Sequence, residues 1–345
     1  MVPRIPNKSK PASPLGVLNP WIEHAVKQSR KQVSAIVAHC RDAIGNSSSQ
    51  PEAVAGLIRC IKTLPSFNFA GVIGDYMVAA AFAGAYAAQR RIEQRGAKAA
   101  SSKWLAEEVN LDAFDRPFRQ AIDALKNRVA LKPDDFLRLE TDARSRAGRI
   151  AGMFDLRVVE DVYAAIVKTL GEGGTAHDFR DAVRAIPEAA GWVGEDSWHA
   201  NMVFGQNAAM AFNAGNYVAS ANAGIEHWQF RTYLDVDDEN PCPICRPMDG
   251  LIFAMSDRTF YPPVHINCRC YANPVFEGEV PDGGPMSSAD VDNPEYEKSQ
   301  SRPSAFRFDP AHFAKLDAFD LSAVPDDIRG AFAAFAADRG WTTTG

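Results

Sequence analysis

The chain has 345 residues, 46% hydrophobic and 23% charged, with a net charge of −6. That length holds two domains, or one with long extensions, around a sizeable core, and the composition is not that of a disordered or collagen-like chain. Six cysteines in so long a chain, four of them bunched, do not make the pattern of a secreted disulfide framework.

The modest net charge conceals an asymmetry. Residues 1–154 carry 23 Lys/Arg against 14 Asp/Glu, a balance of +9, whereas residues 155–275 balance at −8 and residues 276–345 at −7. A basic amino-terminal portion suits nucleic acid, an acidic protein surface or simply a set of solvated helix faces.

Residues 1–20, rich in proline and lysine, read as a flexible basic arm without the apolar run of a signal peptide. From Trp21 to Ala223 the pattern is helical. Ile22, Val26, Val33, Ile36, Val37 and Ile44 fall at helical spacing over 21–44, and Pro51 opens a short helix to about Lys62. Residues 71–95 form a helix apolar on nearly all sides, which calls for burial in a core or against a partner. Its most apolar stretch, Tyr76–Ala88, is too short to span a bilayer.

Further helices are expected at 103–109, 116–130, 133–152, 156–170 and 175–186, the last capped by Thr175 after the Gly171, Gly173 and Gly174 breaker. Arg138, Arg144, Arg146 and Arg149 form much of the polar side of 133–152 and make the best candidate basic contact surface, for nucleic acid or a protein partner. A long helix over 195–223 carries asparagines at 201, 207, 213, 216 and 222.

The pattern then changes. Glu226–Leu234 alternates like a strand, and short strands are expected at Leu251–Phe253 and Cys268–Val275. Between them lie Cys242-Pro-Ile-Cys245 and His265-Ile-Asn-Cys268-Arg-Cys270, five candidate ligands within 29 residues. Two residues between ligands let one turn aim both at a single ion, and two such half-sites about twenty residues apart close a tetrahedral zinc site. Spacing alone selects Cys242, Cys245 and Cys268, with His265 or Cys270 as the fourth; the sulfur-rich set suits a structural rather than a catalytic zinc. A catalytic zinc would need a base such as Asp249 or Glu239, and nothing in the spacing singles either out. After Phe276 an acidic stretch rich in Gly, Pro and Ser reads as a linker or a segment that orders only against a partner, followed by an amphipathic helix around 325–339.

One combination carries a resemblance. Phe204-Gly-Gln-Asn-Ala-Ala-Met-Ala-Phe-Asn213-Ala-Gly215 leads through Arg231-Thr232 to Cys242–Cys245, Met248-Asp249-Gly250, Pro262-Pro263 and His265-Ile-Asn-Cys268-Arg-Cys270. Over about residues 195–275 this resembles the Mu F-like minor head proteins of tailed bacteriophages, the head-morphogenesis family. Ile266 and Met248 depart from the family's usual proline and leucine. The resemblance implies Cys245, His265, Cys268 and Cys270 as ligands, so the fourth position stays open. It further implies a non-enzymatic virion protein, present in multiple copies in the capsid interior near the portal and in the host cytoplasm during assembly. Its partners would be the portal protein, the major capsid protein and packaged double-stranded DNA, with no membrane.

The expected fold is mainly α: a basic arm at 1–20, a helical domain at 21–194, a zinc-stabilised α+β lobe at 195–275, and an extended acidic tail at 276–345 ending in a helix. The competing expectation is a metal-dependent DNA-processing enzyme carried in the head, with His265 at its centre.

Overall fold

A computed structural model describes residues 18–45, 47, 49–64, 69–93, 118–189, 198–232, 242–300, 308–313 and 319–345. The helix expected at 103–109, most of the amino-terminal arm and the acidic approach through Asp235, Asp237 and Asp238 lie outside the described residues. The helices are α1 (Asn19–Ile44), α2 (Gln50–Thr63), α3 (Phe69–Glu93), α4 (Arg119–Lys126), α5 (Pro133–Leu170), α6 (Ala176–Ala189), α7 (Trp198–Asn222), α8 (Pro294–Gln300) and α9 (Asp326–Asp338). Strands β1 (His227–Arg231), β2 (Ile252–Ala254) and β3 (Tyr271–Val275) form one sheet, and β4 (Phe319–Asp320) and β5 (Thr343–Thr344) a second. The mainly helical reading with a small sheet region holds.

Two compact units emerge, each assembled from three separated stretches rather than from consecutive segments. The first comprises Met1–Glu23, Gly74–Arg146 and Met202–Lys315; the second comprises His24–Ile73, Ala147–Asn201 and Leu316–Gly345.

In the first unit the residues Gly74–Glu93 of α3 are a core helix. By length and composition α3 could cross a membrane, but 78% of its most apolar window is buried inside the fold. The reason is its packing on α7, backbone to backbone. A Cβ at Gly84 would fall on the Phe212 carbonyl, and one at Gly215 would fall on the Ala81 carbonyl. Two glycines, one on each helix, remove the side chains that would hold these helices apart. Tyr76, fully buried on α3, donates its hydroxyl hydrogen to the Phe204 carbonyl of α7 at 2.9 Å.

The three-stranded sheet has the order β2-β1-β3, all antiparallel, with Trp228 opposite Phe253 on one side and Pro274 on the other. Alternation along β1 puts Trp228 and Phe230 into a core with Met248, Phe253, Phe260, Tyr261 and Val264. Trp228 stacks on Phe253 with ring centroids 4.9 Å apart and lies 4.8 Å from Tyr261.

The acidic stretch after Phe276 departs from the extended linker expected of it. Over 280–300 it folds onto the sheet lobe. The Met286 N–H bonds the Ile252 carbonyl at 2.7 Å, extending the sheet by one bridge, and the Ser288 N–H bonds Asp257 at 2.8 Å. Asn293 donates to the Ile244 carbonyl at 2.7 Å, and the Tyr296 ring meets Phe260 edge-on at 4.7 Å. Met286, Val291 and Tyr296 are anchors enough for a segment whose composition alone reads as solvated.

In the second unit, α1 and α2 form a hairpin joined by a Cys40–Cys60 disulfide with Cα atoms 5.2 Å apart. Its α5 portion is continuous with the preceding residues: one 38-residue helix stands where two were expected, because Gly148 and Gly152 do not break it. Gly152 instead admits an aromatic neighbour, since a Cβ there would lie 2.7 Å from Trp341 and 2.9 Å from Phe319. The Thr175 cap is reciprocal: Asp178 N–H donates to Thr175 Oγ1 at 3.2 Å, and Thr175 N–H donates to Asp178 Oδ2 at 2.8 Å.

Candidate metal centre

The two ligand-bearing turns converge within the first unit. In the first, the N–H groups of Cys245 and Arg246 both bond the Cys242 carbonyl, at 3.1 and 3.0 Å, winding Cys242–Cys245 into a tight turn. The Cys245 N–H also points at Cys242 Sγ from 3.4 Å, a contact that favours the thiolate. A short 3₁₀ turn, Arg246–Met248, and Gly250 at φ 83° return the chain to β2. In the second turn the Cys268 N–H bonds the His265 carbonyl at 3.1 Å, and Asn267 takes the left-handed conformation at φ 60°. That turn leaves Ile266 42% exposed at its tip while Cys268 is buried beneath it.

All five expected ligands meet. Cys242, Cys245 and His265 form one group and Cys245, Cys268 and Cys270 another, with the ligand atoms of each group within 4.8 Å of one another. Cys245 belongs to both. His265 Nε2 lies 3.0 Å from Cys242 Sγ and 3.1 Å from Cys245 Sγ, and the sulfurs of Cys245 and Cys268 are 3.8 Å apart. His265 Nδ1 is 2.7 Å from the Ile266 carbonyl, so it carries a proton and Nε2 is the nitrogen aimed at the sulfurs.

The electrostatics are those of a cluster with too few protons to go round. The hydrogen bond with Cys245, the largest influence, draws the Cys242 thiol down to about 4. Cys245 is pushed up by the hydrogen bonds it shares with Cys242, Cys268 and Cys270. Burial works against a thiolate at Cys268, yet hydrogen bonds from Cys245, Cys270 and His265 hold its thiol well below the usual range. Burial likewise lowers His265, but contact with the sulfurs of Cys242 and Cys268 outweighs it and raises the imidazole to about 10. A cation replacing the Nε2 proton would meet thiolates favoured at Cys242 and Cys268 and would displace the proton of Cys245, which is the donor chemistry of zinc.

Helix α7 holds the second turn in place through two buried amides seven residues apart, on one face two turns along. Gln206 accepts from the Cys268 N–H at 3.1 Å, and its own Nε2 is buried with no partner among the described residues. Asn213 donates to the Cys270 carbonyl at 3.0 Å and accepts from the Ala272 N–H at 3.0 Å. Sequence reading missed both. The signal was present, since Asn213 interrupts an otherwise apolar run from Ala208 to Ala214.

Asp249, considered as a base, accepts from the Thr232 N–H at 2.9 Å and so fastens the end of β1. Glu239 lies outside the described residues. The four arginines do not form one free basic stripe. Arg146 is buried, bonded to Asn207 at 2.6 Å and to the Phe313 carbonyl at 3.2 Å. Arg144 pairs with Asp75 and Glu140 at 2.9 and 3.0 Å, Arg138 pairs with Asp135 at 3.3 Å, and Arg149 is half-buried in the second unit.

Residues 160–273 match the family model described as Phage Mu protein F like protein. This stretch is Mu F-like. The Mu F-like stretch takes in the end of α5, α6, α7, β1, β2, most of β3 and every candidate ligand, beginning earlier than the resemblance over 195–275 implied. It covers about a third of the chain. No curated protein and no solved structure matches the chain.

Proposed function

We propose that the chain is a structural head-morphogenesis protein of a tailed bacteriophage, whose Mu F-like lobe is pinned by one zinc ion and docks on the portal or the inner capsid shell. The observation that carries this reading is that the five candidate ligands fall into two groups that share the buried Cys245, inside the Mu F-like stretch. The ligands best supported are Cys242, Cys245, His265 and Cys268. His265 touches the sulfurs of Cys242, Cys245 and Cys268, which together with it make a set of four. Bound there, zinc would neutralise the thiolates and cross-link two turns that share few backbone bonds of their own. The role is non-enzymatic, because Asp249 is spent on the backbone and the donor set is closed and sulfur-rich. Contact of the α5 arginines with packaged DNA forms no part of the reading, since Arg138 and Arg144 are ion-paired and Arg146 is buried.

Metal analysis of the full chain tests the lobe. One zinc per chain is expected, lost in Cys242→Ser, Cys245→Ser and Cys268→Ser and kept in Cys270→Ser. Retention in Cys242→Ser with loss in Cys270→Ser would assign the set Cys245, His265, Cys268 and Cys270 instead. Quantitative mass spectrometry of purified DNA-filled particles tests the role: several copies per particle are expected, and absence from finished particles would refute a virion protein.

A further inference from the structure

The chain's six cysteines occupy two kinds of site. Cys40 on α1 and Cys60 on α2 are both fully buried in the second unit, with Cα atoms 5.2 Å apart, inside the range a disulfide spans without moving backbone. The pair is brought that close because α1 and α2 pack with almost nothing between them at their joined ends: a Cβ at Gly56 would lie 2.8 Å from the Ile44 Cα. Val37, Leu57 and Ile61 bury the surroundings, and His39 bonds Thr63 across the hairpin at 3.1 Å. No histidine, acid or third cysteine joins the pair in a ligand group, among the described residues. In the first unit the four other cysteines are unbridged, and Cys245 and Cys268 have their sulfurs 3.8 Å apart beside His265. Two thiols that near each other would cross-link under any oxidant that can close Cys40–Cys60, unless something occupies their lone pairs.

We propose that oxidation of this protein is selective: Cys40 and Cys60 close a disulfide that staples α1 to α2, while bound zinc holds Cys242, Cys245 and Cys268 as its ligands and so leaves the buried Cys270 no thiol to bridge with. The second half rests on the zinc reading above; the first does not. The co-reactant is a low-molecular-weight disulfide such as oxidised glutathione. The thiolate of one cysteine attacks a glutathione sulfur and releases one glutathione thiolate. The other cysteine's thiolate then attacks the mixed disulfide and releases the second. The two protons of the cysteine pair end on the two leaving thiolates, so the protein is oxidised by two electrons and the glutathione reduced by two. Since both sulfurs are buried, the bond forms while the hairpin is parted, and the closed hairpin afterwards shields it from reductants.

The test uses the full chain loaded with zinc and equilibrated with excess oxidised glutathione. After acid quenching it is denatured with chelator and iodoacetamide and weighed intact and as peptides. The expected result is four alkylated cysteines, one Cys40–Cys60 linked peptide pair and one zinc per chain; Cys40→Ala/Cys60→Ala should give four alkylated cysteines and no linked pair. Six alkylated cysteines would overturn the staple. Lobe cross-links in chains that still hold zinc would overturn the protection. Chains that take up no zinc on loading, with Cys40–Cys60 closed, would overturn the zinc reading and leave the staple standing.

Discussion

Gly215→Ala is the sharpest probe of how the first unit is built. The new Cβ would sit on the Ala81 carbonyl oxygen, with the carbonyl carbon at 2.7 Å and Ala85 N at 3.1 Å, and every one of these atoms is backbone of α3. No side chain can rotate away, so α3 and α7 must part by more than an ångström along a seam that buries Phe82, Phe212 and Met210. Overpacking of this kind costs about 1–3 kcal/mol, and rigid backbone on both sides puts it at or above the upper end. Alanine returns about 1 kcal/mol through helix propensity. The clash wins, for a net loss of about 2 kcal/mol or more. Gly330→Ala in α9 supplies the matched control: it has open space where its Cβ would go, so only the propensity gain of about 0.5–1 kcal/mol remains. Urea unfolding of the two variants beside the parent chain should therefore give midpoint shifts of opposite sign. A Gly215→Ala midpoint at or above the parent's would mean that the two helices are not in backbone contact.

Three further outcomes follow from the same geometry. Asn213→Ala removes the partners of the Cys270 carbonyl and the Ala272 N–H, both buried; at about 1–3 kcal/mol for each orphaned group it should destabilise by about 2–6 kcal/mol and weaken zinc retention in a chelator competition, whereas unchanged retention would detach α7 from the candidate metal turn. Asp155, whose Oδ1 is buried without a partner among the described residues, has its carboxyl raised to about 7 by burial, against the opposing effects of Gln32 and Arg339. A raised carboxyl favours the protonated fold, so its contribution is complete below about pH 4 and is lost as pH rises to about 7. Asp155→Asn should thus stabilise at pH 8, by at most about 4 kcal/mol at 1.36 kcal/mol per pH unit, and do little at pH 4; equal effects at both would sink the assignment. Gly152→Ala should force Trp341 and Phe319 off α5, costing about 1–3 kcal/mol and shifting tryptophan fluorescence, while a silent variant would mean the aromatic ring does not rest there.

How much of this was legible depended on whether the controlling interaction is local. The periodicity of α1, α2 and α3, the Thr175 cap and the alternation of β1 are properties of short windows, and all stand where the pattern put them. The cysteine turns were legible because ligand spacing is itself a local geometric demand. Reading failed where a distant residue decides. The space that Gly152 leaves on α5 is filled by Trp341, nearly two hundred residues on, a contact no local pattern announces. The stretch from Met286 to Tyr296 looks solvated until the sheet lobe supplies partners for three apolar side chains in an acidic sequence. Arg146 looks like surface because arginine usually is; in the fold it is buried, where Asn207 and the Phe313 carbonyl are among the groups that meet it.

The same reasoning explains why α7 is the helix around which the candidate site is organised. Its composition is odd for a buried helix, since it keeps Gln206, Asn207, Asn213, Asn216 and Ser220 among residues that are otherwise small or apolar. Each amide costs desolvation unless it is paired, so buried amides of this kind persist where backbone without secondary-structure partners needs them. The loop from Pro262 to Cys270 is such backbone: it carries ligands instead of ladder bonds, and Gln206 and Asn213 supply what a neighbouring strand would have given it. Small residues at 84 and 215 then let α3 press α7 from the other side, fixing the helix against which the turn is measured. On this argument a substitution at Gly84, far in sequence from any ligand, should loosen zinc as surely as one at Asn213. Gly84→Val in the chelator competition is the direct check, and zinc retention equal to the parent chain's would uncouple the helix seam from the metal centre.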